Sequence, residues 1–165
     1  MKKYLLIIVM LISFLSFSAI NYNDYVGLWK NDQLVYEITK SGNDYYLQEF
    51  RFNQLNMSSK QKENSLNLRI LIDKNIGLWV LPKDKLDVTK DGLNFGVITY
   101  KLEKAEESDS WLGIKKGDMV LKEYVKVGGD YIILEYRKVT NSEKKELTKS
   151  KKQNLTDDEV QKYLK

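Results

Sequence analysis

Two glutamate–arginine pairs recur in this chain at the same spacing. Glu49 precedes Arg51 by two residues, and Glu135 precedes Arg137 in the same way. Because alternate residues of a β-strand share one face, each pair would lie on one side of its strand. Two glutamates that meet inside a barrel could act as general acid and general base. The arginine beside each glutamate favours neutralised structural pairs instead, so we predict no catalytic residue and a non-enzymatic protein.

The residue types that are missing exclude several kinds of site. The chain contains no histidine and no cysteine. A Ser-His-Asp triad, thiolate catalysis and an ordinary zinc site are therefore excluded. We predict no metal ligand and no cofactor, and stability that comes from burial without disulfides.

Aromatic side chains supply the remaining candidates for ligand contact. Tyr45 shares a strand face with Glu49, and Tyr131 shares one with Glu135. Trp111 follows an acidic loop and precedes a strand, which favours an exposed contact residue. Aromatic residues are also the usual filling of a β-protein core. The predicted ligand-contact residues are Tyr45, Glu49, Trp111, Tyr131 and Glu135.

The elements that must position these residues are short strands joined by glycine-centred turns. Gly27-x-Trp29 returns fifty residues later as Gly77-x-Trp79, and such recurrence indicates a repeated supersecondary unit. The pattern predicts an all-β fold, an antiparallel up-and-down meander of eight or nine strands closing into a barrel. The predicted strands cover 26–30, 34–40, 44–52, 65–73, 77–81, 85–89, 93–103, 118–127 and 131–139.

The first strand and the last strand resemble those of the lipocalins, within the calycin group. Gly27-x-Trp29 is similar to the family's Gly-x-Trp motif, and Arg137 lies where the family has an arginine on its last barrel strand. The resemblance implies an eight-stranded barrel whose base is closed by Trp29 stacked on Arg137. It also implies a helix after the strands, and a small ligand held in the barrel.

The N-terminal residues have the character of an export signal. Lys2 and Lys3 precede an apolar run over 4–17, and small residues follow it up to Ala19. The run is shorter than a spanning helix needs, so we predict cleavage rather than a retained membrane span. No cysteine follows that could carry a lipid, so we predict a periplasmic or secreted protein that is not a lipoprotein.

Charge is distributed so that the barrel segment is neutral. The chain has a net charge of +4, but residues 20–140 hold 18 basic and 18 acidic side chains. Nucleic-acid binding requires a basic stripe on the folded domain, and none is visible, so we predict no nucleic-acid partner. We predict a signal peptide over 1–19, a barrel domain over 20–140, and a charged linker with a short helix over 141–165. Thr156 and Glu159 form a capping box that begins this helix.

Two functional interpretations follow from these features. The first is an exported binding protein that holds a small apolar or aromatic ligand in a barrel cavity. The second is a protein-interaction module, an inhibitor or an envelope-assembly factor, that acts through rim loops or a sheet edge. The size of the inward-facing side chains distinguishes them, and the sequence alone leaves both open.

Overall fold

The computed structural model describes residues 20–31, 34–52, 77–150 and 152–163. The predicted leader over 1–19 and the predicted strand over 65–73 lie outside these residues. Predictions about them are neither confirmed nor contradicted by the structure.

The chain forms a closed antiparallel barrel of eight strands, which confirms the predicted all-β meander. Each strand pairs with the next along the chain, and the eighth strand pairs with the first. The strands are β1 (Gly27–Lys30), β2 (Leu34–Ser41), β3 (Asp44–Phe52), β4 (Leu78–Thr89), β5 (Gly92–Phe95), β6 (Ile98–Lys104), β7 (Met119–Val127) and β8 (Asp130–Lys138).

One end of the barrel is closed around Trp29. Its side chain is fully buried, and its indole Nε1 donates to the carbonyl oxygen of Tyr25 at 2.8 Å. Tyr25 belongs to a 3-10 turn, Tyr22–Tyr25, which covers this end. The resemblance implied that Arg137 stacks on Trp29, and this is wrong. Arg137 pairs with Lys30 on the outer face, and the cation over the Trp29 ring is Lys138, 5.0 Å from its centroid.

Two predicted strand boundaries are wrong. The segments 77–81 and 85–89 are one long strand, β4, with a bulge that places Leu81 and Pro82 opposite the single residue Glu49. A bulge accommodates proline because the backbone there forms no ladder hydrogen bond. The segment 93–103 is two strands, β5 and β6, separated by a turn at Gly96, whose φ of +58° favours glycine.

The charged segment that follows Thr140, predicted as a linker, is folded over 141–150 and 152–154 instead. It forms a helix, α1 (Asn141–Lys149), and a short strand, β9 (Lys152–Asn154), which runs parallel to β4. Leu147 of α1 packs on a small apolar cluster outside the barrel, which contains Val35, Phe50, Leu78 and Val80. A second helix, α2 (Asp157–Tyr163), follows, and its predicted capping box is confirmed by hydrogen bonds between Thr156 and Glu159.

Neither helix is long and apolar enough, within the described ranges, to cross a membrane.

Glu143 of α1 connects the two strands that close the barrel. Its Oε1 accepts from Arg137 Nη2 at 2.8 Å, and its Oε2 accepts from Arg137 Nη1 at 3.0 Å. Lys30 of β1 donates to the same carboxylate, and the backbone N–H of Thr140 donates to it at 2.9 Å. Burial alone would raise the pKa of Glu143, but the hydrogen bonds from Arg137 and Lys30 outweigh burial and hold it well below its usual range. We call this group, Glu143 with Lys30 and Arg137, the closure clasp.

Substitution Glu143→Gln should lower the free energy of unfolding at neutral pH by about 2 kcal/mol, because charge-assisted hydrogen bonds are lost. The native pKa of Glu143 is depressed, so its stabilisation is present above the unfolded pKa of 4.5 and is lost as the pH falls below it. Wild-type stability should therefore decline more steeply in acid than that of the variant. Urea denaturation at a series of pH values measures this difference.

The matched control is Glu146→Gln on the same helix, where the carboxylate pairs with the exposed Lys149 at 3.2 Å. We expect a change below about 0.5 kcal/mol, as for an exposed ion pair. Equal effects of the two variants would contradict the role of the closure clasp.

Candidate functional site

A buried glutamate lies inside the barrel on β7. Glu123 alternates with Leu121 and Val125, so it shares their inward face, and only 4% of its surface is exposed. Its Oε2 accepts a hydrogen bond from the hydroxyl of Tyr136 at 2.5 Å and from that of Tyr36 at 3.3 Å. A charged side chain is rarely buried this deeply without a partner, so Glu123 is the centre of the candidate site.

Three tyrosines from three strands surround this carboxyl group. The rings of Tyr36 and Tyr136 lie 4.9 Å apart between centroids, and Tyr100 meets Tyr36 edge-on at 5.9 Å. All three are at most 4% exposed. Tyr100 is opposite Glu123 in the β6–β7 register. We call Glu123 with Tyr36, Tyr100 and Tyr136 the interior cluster.

The strand geometry that places Tyr100 depends on a glycine. Gly92 of β5 has a φ of +146°, and a Cβ atom there would lie 2.2 Å from the carbonyl oxygen of Tyr100. Only a residue without a side chain allows this close approach of β5 to β6. Gly92 therefore fixes the wall of the barrel beside the interior cluster.

The electrostatics of the interior cluster favour neutral groups. Burial raises the pKa of Glu123, hydrogen bonds from Tyr136 and Tyr36 partly offset this, and the nearby charge of Glu49 raises it further. Burial likewise raises the pKa of Tyr36, Tyr100 and Tyr136. The tyrosines are therefore hydrogen-bond donors at neutral pH, and a proton is held on Glu123 to a higher pH than on an exposed glutamate.

Polar and apolar side chains meet above the interior cluster. Glu49 and Arg51 share the inward face of β3 and form an ion pair, with 15% of the glutamate side chain and 36% of the arginine side chain exposed. Trp79 of β4 is opposite Arg51 and is buried. Partly buried Leu34 and Ile98 also pack against the barrel core. The site therefore combines a buried acceptor with apolar and aromatic walls.

Two predicted ligand-contact residues lie inside the barrel. Tyr45 is buried near the closed end, where its ring lies 6.2 Å from that of Tyr22 and its hydroxyl is 3.4 Å from Asn23 Oδ1. Glu49 is further along the barrel, near enough for its charge to affect the pKa of Tyr36 and of Glu123. The structure therefore places Glu49 beside the interior cluster and Tyr45 at the closed end of the barrel.

The other three predicted contact residues lie outside the barrel. Glu135 of β8 forms an ion pair with Lys122 at 3.3 Å, and Tyr131 packs edge-on against Tyr124. The acid–base interpretation that joined Glu49 and Glu135 is wrong in its geometry, because the inward residue of this part of β8 is Tyr136. Trp111 is 61% exposed in the loop between β6 and β7, as its position in the sequence indicated.

An acidic cavity of about 490 Å³ lies on the outer surface next to Glu135. It is lined by the loop residues Glu106, Glu107, Ser108, Asp109 and Ser110. Lys122 lies behind it with its side chain 6% exposed, and it pairs with Glu103, Glu106 and Glu135. Burial would lower the pKa of Lys122, but Glu135, Glu103 and Glu106 outweigh burial and raise it. The cavity is thus part of a charge network on the outer face.

Sequence reasoning missed Glu123 as the centre of the site, although a signal exists. In β7 one face carries Lys122, Tyr124 and Lys126, and the opposite face carries Leu121, Glu123 and Val125. The lysines mark the first face as the outer one, so the single acid on the second face must be inside. Tyr36, Tyr100 and Tyr136 could be recognised only once the register of their strands was known.

No protein-family model, curated protein or solved structure matches the chain. The barrel is compatible with a lipocalin-like fold, and that likeness is one of architecture. Among residues 20–31, 34–52, 77–150 and 152–163, no group of three acidic side chains is placed to hold a metal ion.

Substitution Glu123→Gln should make the stability of the protein less sensitive to pH. The folded pKa of Glu123 is raised, so its contribution is most favourable below the unfolded value of 4.5 and is lost as the pH rises through the folded value. At neutral pH the variant should therefore be at least as stable as the wild type, and their difference should vanish in acid. Thermal unfolding from pH 4 to pH 8 measures this difference.

The control is Glu135→Gln, which removes a glutamate on the outer face and leaves the interior cluster unchanged. A variant at Glu123 that is uniformly less stable at all pH values would contradict the neutral-carboxyl interpretation.

Proposed function

We propose that this chain is an exported, non-enzymatic binding protein that holds a small, mostly apolar molecule inside its barrel. The single observation that carries the proposal is the buried carboxyl group of Glu123, held by Tyr36 and Tyr136. Leader cleavage and location outside the cytoplasm form part of the proposal, and rest on the N-terminal sequence.

The carboxyl group is costly for stability alone. Burying an ionisable side chain is unfavourable compared with an apolar residue of similar size, even when it is hydrogen-bonded. Leu121 and Val125 on the same face show that apolar residues fit the neighbouring positions. A buried acceptor in an aromatic barrel is the arrangement by which ligand sites orient a bound molecule.

The hydrogen-bond pattern indicates which kind of ligand fits. Both tyrosine hydroxyls donate to the same oxygen of Glu123, Oε2. A ligand that brings a donor, such as a hydroxyl or an amine, would complete this group. A carboxylate ligand would lose its hydration on entering this interior without a compensating cation, because Arg51 is already paired with Glu49. The apolar part of the ligand would contact Leu34, Ile98 and Trp79.

A second candidate function, protein interaction at a sheet edge, is favoured by a different observation. Among the described residues, no strand pairs with one edge of the N-terminal part of β8.

The ligand class can be tested with probes that share one alkyl chain and differ in head group: decanol, decylamine and decanoate. Titration of each into the mature protein, followed by tryptophan fluorescence, should show binding of the alcohol and the amine and little binding of the carboxylate. Substitution Glu123→Gln should weaken amine binding by about tenfold or more, because glutamine cannot give up a proton to form an ion pair with the bound ammonium group.

The control is again Glu135→Gln, which should bind all three probes as the wild type does. Equal affinity for the three head groups, or an equal loss in both variants, would contradict binding at the interior cluster. Native mass spectrometry of the protein purified from its own host tests the proposal without probes. A bound small molecule on a chain lacking its leader is the expected result, and an unliganded mass that no lipid extract changes would overturn it.

A further inference from the structure

Strand β8 is paired along only part of one edge. It pairs with β7 from Asp130 to Tyr136, but with β1 only at Arg137 and Lys138. No other described strand pairs with β8, so the edge from Asp130 to Tyr136 has no strand neighbour in the described part of the chain. This edge segment is the consequence of a first strand that is four residues long.

The backbone groups on this edge can be identified from the pairing. The N–H of Val139 donates to the carbonyl oxygen of Leu28 at 2.9 Å, toward β1. Alternate residues of an antiparallel strand direct both N–H and C=O to the same edge. Tyr131, Ile133 and Glu135 therefore direct an N–H and a C=O each to the unpaired side, a total of six backbone groups.

The side chains of the same segment are apolar on both faces. Tyr131, Ile132, Ile133 and Leu134 are all exposed, from 57% for Tyr131 to 39% for Leu134. A long, apolar, unpaired edge is a template for pairing with another strand, and natural proteins usually protect such edges with charges, bulges or proline. None of those devices interrupts 131–134.

We propose that this edge pairs with the same edge of a second copy of the chain, to form an antiparallel dimer with its two-fold axis at Ile133. In this register the edge segments overlap completely, and each copy stops where β1 of the other begins. All six backbone groups of each copy find a partner. The register aligns Asp130 with Tyr136, Tyr131 with Glu135, Ile132 with Leu134, and Ile133 with itself.

Charge complementarity favours a second copy over an arbitrary extended peptide. Asp130 and Lys138 lie on the same face of β8 at opposite ends of the edge segment. Two-fold pairing places Asp130 of each copy diagonally next to Lys138 of the other, within reach of long side chains. The apolar residues meet in the middle, so the ends and the centre of the edge are both self-complementary.

The interface consists of one strand pair, about 24 Å long at 3.4 Å per residue, so we expect a weak dimer with a dissociation constant of about 10 µM or more. Sedimentation equilibrium of the mature chain from about 5 to 500 µM should show a monomer–dimer transition. Substitution Ile133→Lys should weaken it by about tenfold or more, since two like charges then meet at the two-fold axis.

The matched control is Val97→Lys, which adds the same charge at an apolar side chain that is 67% exposed and lies off this edge. It should dimerise as the wild type does. Amide exchange measured by NMR gives a second readout. The amides of Tyr131, Ile133 and Glu135 should become protected as concentration rises, while those of Ile132 and Leu134, already bonded to β7, should not change.

A chain that remains monomeric over the whole concentration range would overturn the proposal. A dimer that Ile133→Lys leaves intact would place the contact elsewhere and would also overturn it. A chain that stays monomeric but binds a different protein through residues 131–135 would also overturn the dimer, and would assign the edge to that other protein. None of these results bears on ligand binding at Glu123, which faces the barrel interior, so the two proposals fail independently.

Discussion

The structure depends on how a four-residue first strand closes a barrel. Only two residue pairs, Trp29 with Lys138 and Lys30 with Arg137, join β1 to β8. So few backbone contacts give little stability alone, because an isolated short strand pair is marginal in water. The closure is completed by side chains: Trp29 fills the closed end, and Glu143 of α1 binds both Lys30 and Arg137. The helix after the barrel is therefore a component of its wall.

The short length of β1 also determines which backbone groups of β8 are exposed. Because β1 ends at Lys30, no strand of the described residues pairs with the remainder of β8 on that side. Its backbone groups and its apolar side chains then face solvent together, which is the combination that promotes strand pairing between chains. The interior is held at this level by Tyr36 and Tyr136, whose rings contact each other and whose hydroxyls meet at Glu123. The interior cluster around Glu123 thus lies close to the β1–β8 junction, where only two residue pairs join the strands.

The elements that the sequence predicted correctly are those with strong local patterns. The meander follows from strands of period two and glycine turns, and the Thr156–Glu159 capping box needs only four residues to be recognised. The helix α1 was missed because it buries a single apolar residue, Leu147, and its main support is the distant pair Lys30 and Arg137. The inward face of β8 could not be predicted, since Ile132, Ile133 and Leu134 are apolar on both faces. Glu123 was missed because its burial depends on the tyrosines of two other strands.

The two proposed binding surfaces lie on adjacent positions of one strand but on different sides of it. Leu134 is opposite Glu123 in the β7–β8 register and shares the inward face of Tyr136. The side chain of Ile133 lies on the outward face of β8, and its N–H and C=O groups point toward the unpaired edge. A ligand at Glu123 would therefore contact the inward side chains of even-numbered β8 residues. A second copy would instead form hydrogen bonds with the backbone of the odd-numbered residues.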